Sequence, residues 1–176
     1  MGYKAGYGGT TSAPYSSGTS NTAVGYQALT AFTTGAANVA VGRHAFKALT
    51  TANYGVAIGY DAAPAVTTAN AVIAIGNSAA KAVTEGSDNI AIGQNAIRNI
   101  TTDASNVAVG AGAGNKSYKG SNQTYIGGQA GWHATGSNNT FVGKQAGYGG
   151  TTSAPFSSGT NNVAIGASAL AAFKAS

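Results

Sequence analysis

A chain of 176 residues with 7% charged residues, 27 glycines and no cysteine is not composed like a globular enzyme, in which roughly a quarter of residues are charged. The absent thiols exclude a disulfide framework and a thiolate metal centre. The formal charge of +5 is scattered, with only Arg43/Lys47 and Lys116/Lys119 close together, so the concentrated basic face of a nucleic-acid binder is missing.

Hydrophobic residues make up 43% of the chain, but they are mainly alanine, valine and isoleucine, so any core is thin and built of small side chains. No apolar run is long enough to span a membrane, and no charged start is followed by an apolar stretch. Membrane insertion and a signal segment are therefore not expected.

From the N-terminus onward, the sequence is a repeat. One glycine recurs at Gly25, Gly42, Gly59, Gly76, Gly93, Gly110 and Gly127 in steps of 17 residues, then at Gly143 after 16 and Gly166 after 23, with Gly2 lying 23 before the first. The preceding residue is valine or isoleucine from Val24 to Ile165, and the residue three before is threonine, valine or isoleucine. Alanine lies between them in seven of nine cases, replaced by Tyr125 and Phe141, and alanine stands three residues after every repeat glycine, from Ala5 to Ala169. This alternation predicts a short strand in each coil, with one bulky β-branched face and one small face.

Seventeen residues leave no room for a crossover helix, so each coil is expected to hold two short strands and two turns, stacked in parallel on its neighbours. The fold class expected is all-β, a parallel β-solenoid (β-roll) of about ten coils. At about 4.8 Å per coil these make a rod of roughly 50 Å. Asparagine four residues before the glycine, at Asn21, Asn38, Asn89, Asn106, Asn139 and Asn162, predicts a ladder of side chains bonded to neighbouring backbone. Helix is the competing reading for alanine-rich halves such as residues 26–32 and 43–49, which are too short to be stable alone.

The chain reads as a single repeat domain, 1–176. Residues 1–110 hold alanine-rich coils, and residues 111–147 hold coils in which glycine and aromatics enter, which predicts a change of cross-section. The two 23-residue steps carry nearly the same insertion: residues 5–25 and 146–166 agree at 17 of 21 positions. Paired glycines and Ala-Pro mark insertion loops at 7–20 and 148–161, outside the strands. The surplus apolar face implies a partner, with a homotrimer around a common axis the favoured arrangement. The matching ends raise end-to-end self-assembly as an alternative.

The segments NTAVGYQAL (21–29) and NNTFVGKQAG (138–147) carry a resemblance that covers nearly the whole chain. They resemble the β-roll head repeats of trimeric autotransporter adhesins and, more closely, repeats of phage tail fibres. That resemblance implies a trimeric, left-handed parallel β-roll within a fibre or adhesin head, used for attachment to a cell-surface glycan or receptor. The 17-residue period is longer than that of the adhesin heads, and the sequence shows no anchor, stalk or fibre chaperone domain. A virion or an extracellular surface is the expected setting.

Signals of chemistry are weak. Residues 109–117, VGAGAGNKS, echo a phosphate loop but lack the glycine before the lysine. His44 and His133 have no carboxylate at matching spacing, and a pair of acids would require Glu85 to meet Asp103 across coils. No catalytic residue, metal or cofactor is expected. Contact candidates are the aromatics Tyr7, Tyr15, Tyr148 and Phe156 at the insertions, together with Trp132. Threonine pairs at 33–34, 50–51, 67–68 and 101–102 suggest an ice-binding solenoid as a further alternative, although adjacent threonines on a strand point to opposite faces and Glu85 and Lys119 interrupt the column.

Overall fold

A computed structural model of the chain describes residues 2–8, 16–117, 119–149 and 159–172. Among them the fold is all-β with no helix: nine three-residue strands, β1 (Thr22–Val24), β2 (Val39–Val41), β3 (Val56–Ile58), β4 (Ile73–Ile75), β5 (Ile90–Ile92), β6 (Val107–Val109), β7 (Thr124–Ile126), β8 (Thr140–Val142) and β9 (Val163–Ile165). They form one parallel sheet in sequence order, a parallel β-solenoid. Its register is the one the repeat predicts, for example Val39 opposite Val56 and Ala40 opposite Ala57.

The sheet's inner face is the small one. Ala40, Ala57, Ala74, Ala91 and Ala108 are fully enclosed, as are the alanines three residues after each glycine from Ala28 to Ala146. The β-branched residues point outward. Enclosing alanine keeps the two walls of the coil close, because a larger inner side chain would push them apart.

The repeat glycines make this stacking possible. From Gly25 to Gly166 each has φ between 119° and 134°, a region that L side chains rarely enter. A Cβ added at any repeat glycine from Gly25 to Gly143 would come within 3.0 Å of the backbone of the next repeat glycine. Conformation and space both demand glycine.

The second side of each coil differs from expectation. It holds no second strand, but a run of turns in which the residues two and four after the glycine take positive φ, as at Gln27 and Leu29 (53° and 50°) and at His44 and Phe46 (61° and 47°). Left-handed residues at every other position break the pleat that a strand requires. Backbone bonding between coils survives: His44 N–H donates to Tyr26 O at 2.9 Å and Leu29 N–H to Ala45 O at 2.9 Å, so successive amides reach backward and forward.

The asparagine ladder forms, with Asn38, Asn89, Asn106 and Asn139 buried and Asn21 and Asn162 half-buried at its ends. Asn89 Nδ2 donates to Gly86 O at 2.9 Å and Asp103 O at 2.8 Å, while its Oδ1 accepts from the Asn106 backbone and side-chain amides, both at 3.0 Å. Gln123 continues the column, its Oε1 accepting from Asn139 N–H at 3.1 Å, and its Nε2 bonded to Gly136 O. Along the middle of the stack the side chains thus satisfy buried turn amides and carbonyls.

The two coil subtypes fill the same interior from opposite walls. In the alanine-rich coils the filler follows the invariant alanine, as with Leu29, Phe46 and Ile97, all fully buried. In the later coils it comes from the strand, as Tyr125 and Phe141, whose rings stack with centroids 5.7 Å apart. A Cβ at Gly131 would strike the Tyr125 ring and one at Gly147 the Phe141 ring. Glycine after the alanine is therefore the counterpart of an aromatic in the strand.

The insertions are narrower than the sequence suggested. Ser17 and Gly18 N–H groups donate to Thr33 O at 2.7 and 3.2 Å, and Thr19 O accepts from Ala37 N–H at 2.9 Å. At the second insertion Asn161 N–H donates to Ser137 O at 3.2 Å, and Gly159 O accepts from Asn139 Nδ2 at 2.9 Å. Both segments have thus rejoined the stack before their expected ends at 20 and 161. A step of 23 against 17 adds only six residues, so most of each coil keeps its phase.

Two outcomes test this account. Gly76→Ala should lower stability by about 2–4 kcal/mol in a urea or thermal melt, since it combines backbone strain with a collision. Tyr125→Ala should cost about 3–5 kcal/mol through the cavity it leaves, and Tyr125→Ala/Gly131→Leu, which recreates the alanine-rich coil, should melt above either single variant.

Candidate functional site

Aromatic side chains concentrate at two places on the solenoid, both on the run of turns. Near the N-terminus the position after the repeat glycine builds a ladder: Tyr3 stacks on Tyr26 with centroids 5.4 Å apart, and Arg43 lies between Tyr26 and Tyr60, its guanidinium 5.7 and 5.4 Å from their ring centres. Tyr7 is 60% exposed, with Lys4 Nζ 5.6 Å from its ring centre. The cations here are already held over ring faces.

The second cluster lies in the glycine-rich coils. Trp132 stacks on Tyr148 (centroids 6.2 Å apart, planes 10° from parallel), and His133 meets the Tyr148 ring edge-on at 5.6 Å. The indole sits on Gly112, where a Cβ would collide with it. Two of the expected contact residues, Trp132 and Tyr148, are therefore brought together in a half-buried pile rather than displayed on a loop. Tyr7 lies apart from them, and Tyr15 and Phe156 fall outside the described residues.

Beside Trp132 the surface opens into a groove of about 450 Å³, walled by the indole and bordered by Gln94, Gln129 and Lys144, with Ala111 and Gly128 as its floor. Gln145 Nε2 donates to Gln129 Oε1 at 3.0 Å, which orients the Gln129 amide. Sequence reading singled out the tryptophan and missed the groove. The legible signal is a column whose side chains are Tyr60, Asn77 and Gln94 in three successive coils, then Ala111 and Gly128, then Lys144.

Other candidates resolve into structural roles. Against expectation, His44 meets a carboxylate: its Nδ1 lies 3.0 Å from Asp61 Oδ1, at the same place in the next coil, and Lys81 Nζ donates to Asp61 Oδ2 at 3.4 Å. Asp103 Oδ1 accepts from Gly120 N–H at 3.0 Å, so this acid caps a turn. Among the described residues no group of three metal-binding side chains converges, and no helix is long and apolar enough to cross a membrane. The phosphate-loop-like stretch holds the last residue of β6 and the turns that follow it, with Gly110 and Ala113 in their repeat columns.

The threonine column is partly spent on stacking. Thr33, Thr50, Thr67 and Thr84 each donate a hydroxyl to the carbonyl of the first threonine or its equivalent in the next coil, at 3.1 to 3.3 Å. Thr34, Thr51, Thr68 and Thr102 are exposed, with Glu85 in their midst.

Two buried titratable groups are perturbed. Burial raises the Tyr125 phenol well above its ordinary value, and the nearby Ser117 hydroxyl opposes this only weakly, neither hydroxyl reaching hydrogen-bond geometry with a partner. Burial, then the charge of Lys116, holds the His133 imidazole below its ordinary value of 6.5. No family model, curated protein or solved structure matches the chain.

The His133 shift has a defined sign. A base with a depressed folded value is protonated preferentially in the unfolded chain, so its contribution is complete above pH 6.5 and is lost as pH falls below it. Melting temperature measured from pH 7.5 to 5 should fall more steeply for the parent than for His133→Gln.

Proposed function

We propose that this chain is a non-enzymatic structural module of an extracellular or virion fibre, a homotrimer that presents contact surfaces for attachment. The observation that carries this reading is the outward face of the sheet. Its two columns run from Thr22 and Val24 to Val163 and Ile165, consist only of valine, isoleucine and threonine, and hold no charge. Val24 is 45% exposed, Ile58 38% and Ile126 41%, so aliphatic side chains face water in every part of the stack.

A straight, uncharged, β-branched stripe is expensive to leave wet, at about 25 cal/mol per Å² of apolar surface. Sister chains packed in parallel cover it along its whole length, since the same residues recur at the same level in each copy. The resemblance of NTAVGYQAL and NNTFVGKQAG to the repeats of tail fibres and adhesin heads favours three copies and an attachment role. Threefold display adds multivalency to weak individual contacts.

Light scattering on purified protein should give a discrete mass of three chains. Ile73→Glu/Ile75→Glu, which places charge in the centre of the stripe, should yield monomers that retain β-rich circular dichroism. A parent protein that is monomeric at micromolar concentration would remove the trimer, and long filaments would replace it with self-assembly without a receptor.

A further inference from the structure

The geometry points to a saccharide subsite in the groove beside Trp132, suited to an acidic oligosaccharide. This rests on the attachment reading for its biological purpose and names the ligand class that the surface would take.

The groove exists because two successive coils lack the larger side chain that their neighbours carry. The position after the repeat glycine holds Tyr60, Asn77 and Gln94, then Ala111 and Gly128, then Lys144. Nothing in the fold requires that omission at Gly128. Its backbone is outside the left-handed region, and a Cβ there would meet nothing closer than Ala111 O at 4.0 Å. The repeat glycines are forced by the stacking, and Gly112 is forced by the indole resting on it. Gly128 is an unforced glycine, and its effect is to keep the groove open.

The walls have the chemistry of sugar recognition. Trp132 is held between Gly112 and Tyr148, so it offers a rigid apolar edge with little ordering cost. A pyranose presents C–H surface to such a wall and hydroxyls to amides. The Gln129 amide is oriented by Gln145, which donates to its Oε1, and Gln94 supplies a second amide to the groove. Lys144 closes one end with a cation, and no acidic residue lines the groove, which favours a carboxylate on the ligand. The groove crosses the coils of Gly93, Gly110, Gly127 and Gly143. At coil spacing this spans about 14 Å along the rod, which suits a short oligosaccharide rather than a single ring.

Trp132 is the only tryptophan in the chain, so its fluorescence reports on the groove directly. The full-length protein is titrated with hexamers of galacturonate, mannuronate and glucuronate-containing chains, and with a neutral maltohexaose, while light scattering records the oligomeric state of the same samples. Saturable change in emission is expected with at least one uronate hexamer. Gly128→Tyr, which fills the groove at a position where tyrosine occurs in other coils, should weaken that binding about tenfold or more while melting like the parent. Lys144→Gln should weaken uronate binding and abolish its advantage over maltohexaose.

A flat response to every uronate overturns the subsite, as does undiminished binding by a well-folded Gly128→Tyr. Maltohexaose binding as tightly as the uronates overturns the acidic assignment. A trimer that binds no sugar leaves the fibre reading standing and removes this one, whereas a monomer that binds sugar does the reverse.

Discussion

Every coil of this protein depends on one close approach, that of a repeat glycine to the backbone of the repeat glycine above it. With φ near +130° from Gly59 to Gly143 and no space for a Cβ, the chain turns out of each strand at the same point and in the same sense. Strand register, the inward alanine and the position of the asparagine ladder follow from that fixed turn. A side chain at any of these glycines would act on two coils at once, because the strained backbone belongs to one and the collision to the other. This is nearest-neighbour coupling of the kind that makes solenoid stability a property of interfaces between repeats.

Because alanine occupies the inner wall, each coil encloses only a few larger apolar residues, such as Phe46 with Leu49 and Ile97 with Ile100, and the wall they come from is interchangeable. Leu29, Phe46 and Ile97 enter from the turns, Tyr125 and Phe141 from the strand, and the opposite position shrinks accordingly. Coils without a large residue at either place, with Ala63 and Ala80 after the invariant alanine, are filled by Val66 and Val83. The exchange between walls also sets the surface. Glycine at 112 gives the Trp132 ring a place to lie, so the aromatic cluster and the groove are located where the filling pattern changes.

Much of the fold is written in the sequence because each repeat column is an independent sample of one environment. The alternation of a small and a β-branched face, the parallel register and the bonded asparagines could be read from the columns, but not which face turns inward. The turns on the other side of each coil could not be read: the columns suggest a second strand there, and the described residues hold none. Gln27, Leu29, His44 and Phe46 are ordinary L-residues, and nothing in their identity announces a left-handed backbone; it is imposed by the need to turn tightly around small side chains while bonding to coils on both sides. The insertions are narrower than their composition suggests for a related reason, since Ser17 and Gly18 look like loop but bond to the Thr33 carbonyl.

The candidate site was legible only in part. Trp132 stood out as a large aromatic in a chain of small residues, but the residues on either side of it, Tyr148 and Gly112, lie 16 and 20 residues away in sequence, and the groove beside it is made by absences, at Ala111 and Gly128. A missing side chain carries no signal until the column it belongs to is aligned and its neighbours are seen to be large. That is also why the groove is informative. In a repeat protein each position is compared with its own copies, and a departure that the backbone does not require, such as Gly128, separates what the coil needs in order to stack from what the surface does once it has stacked.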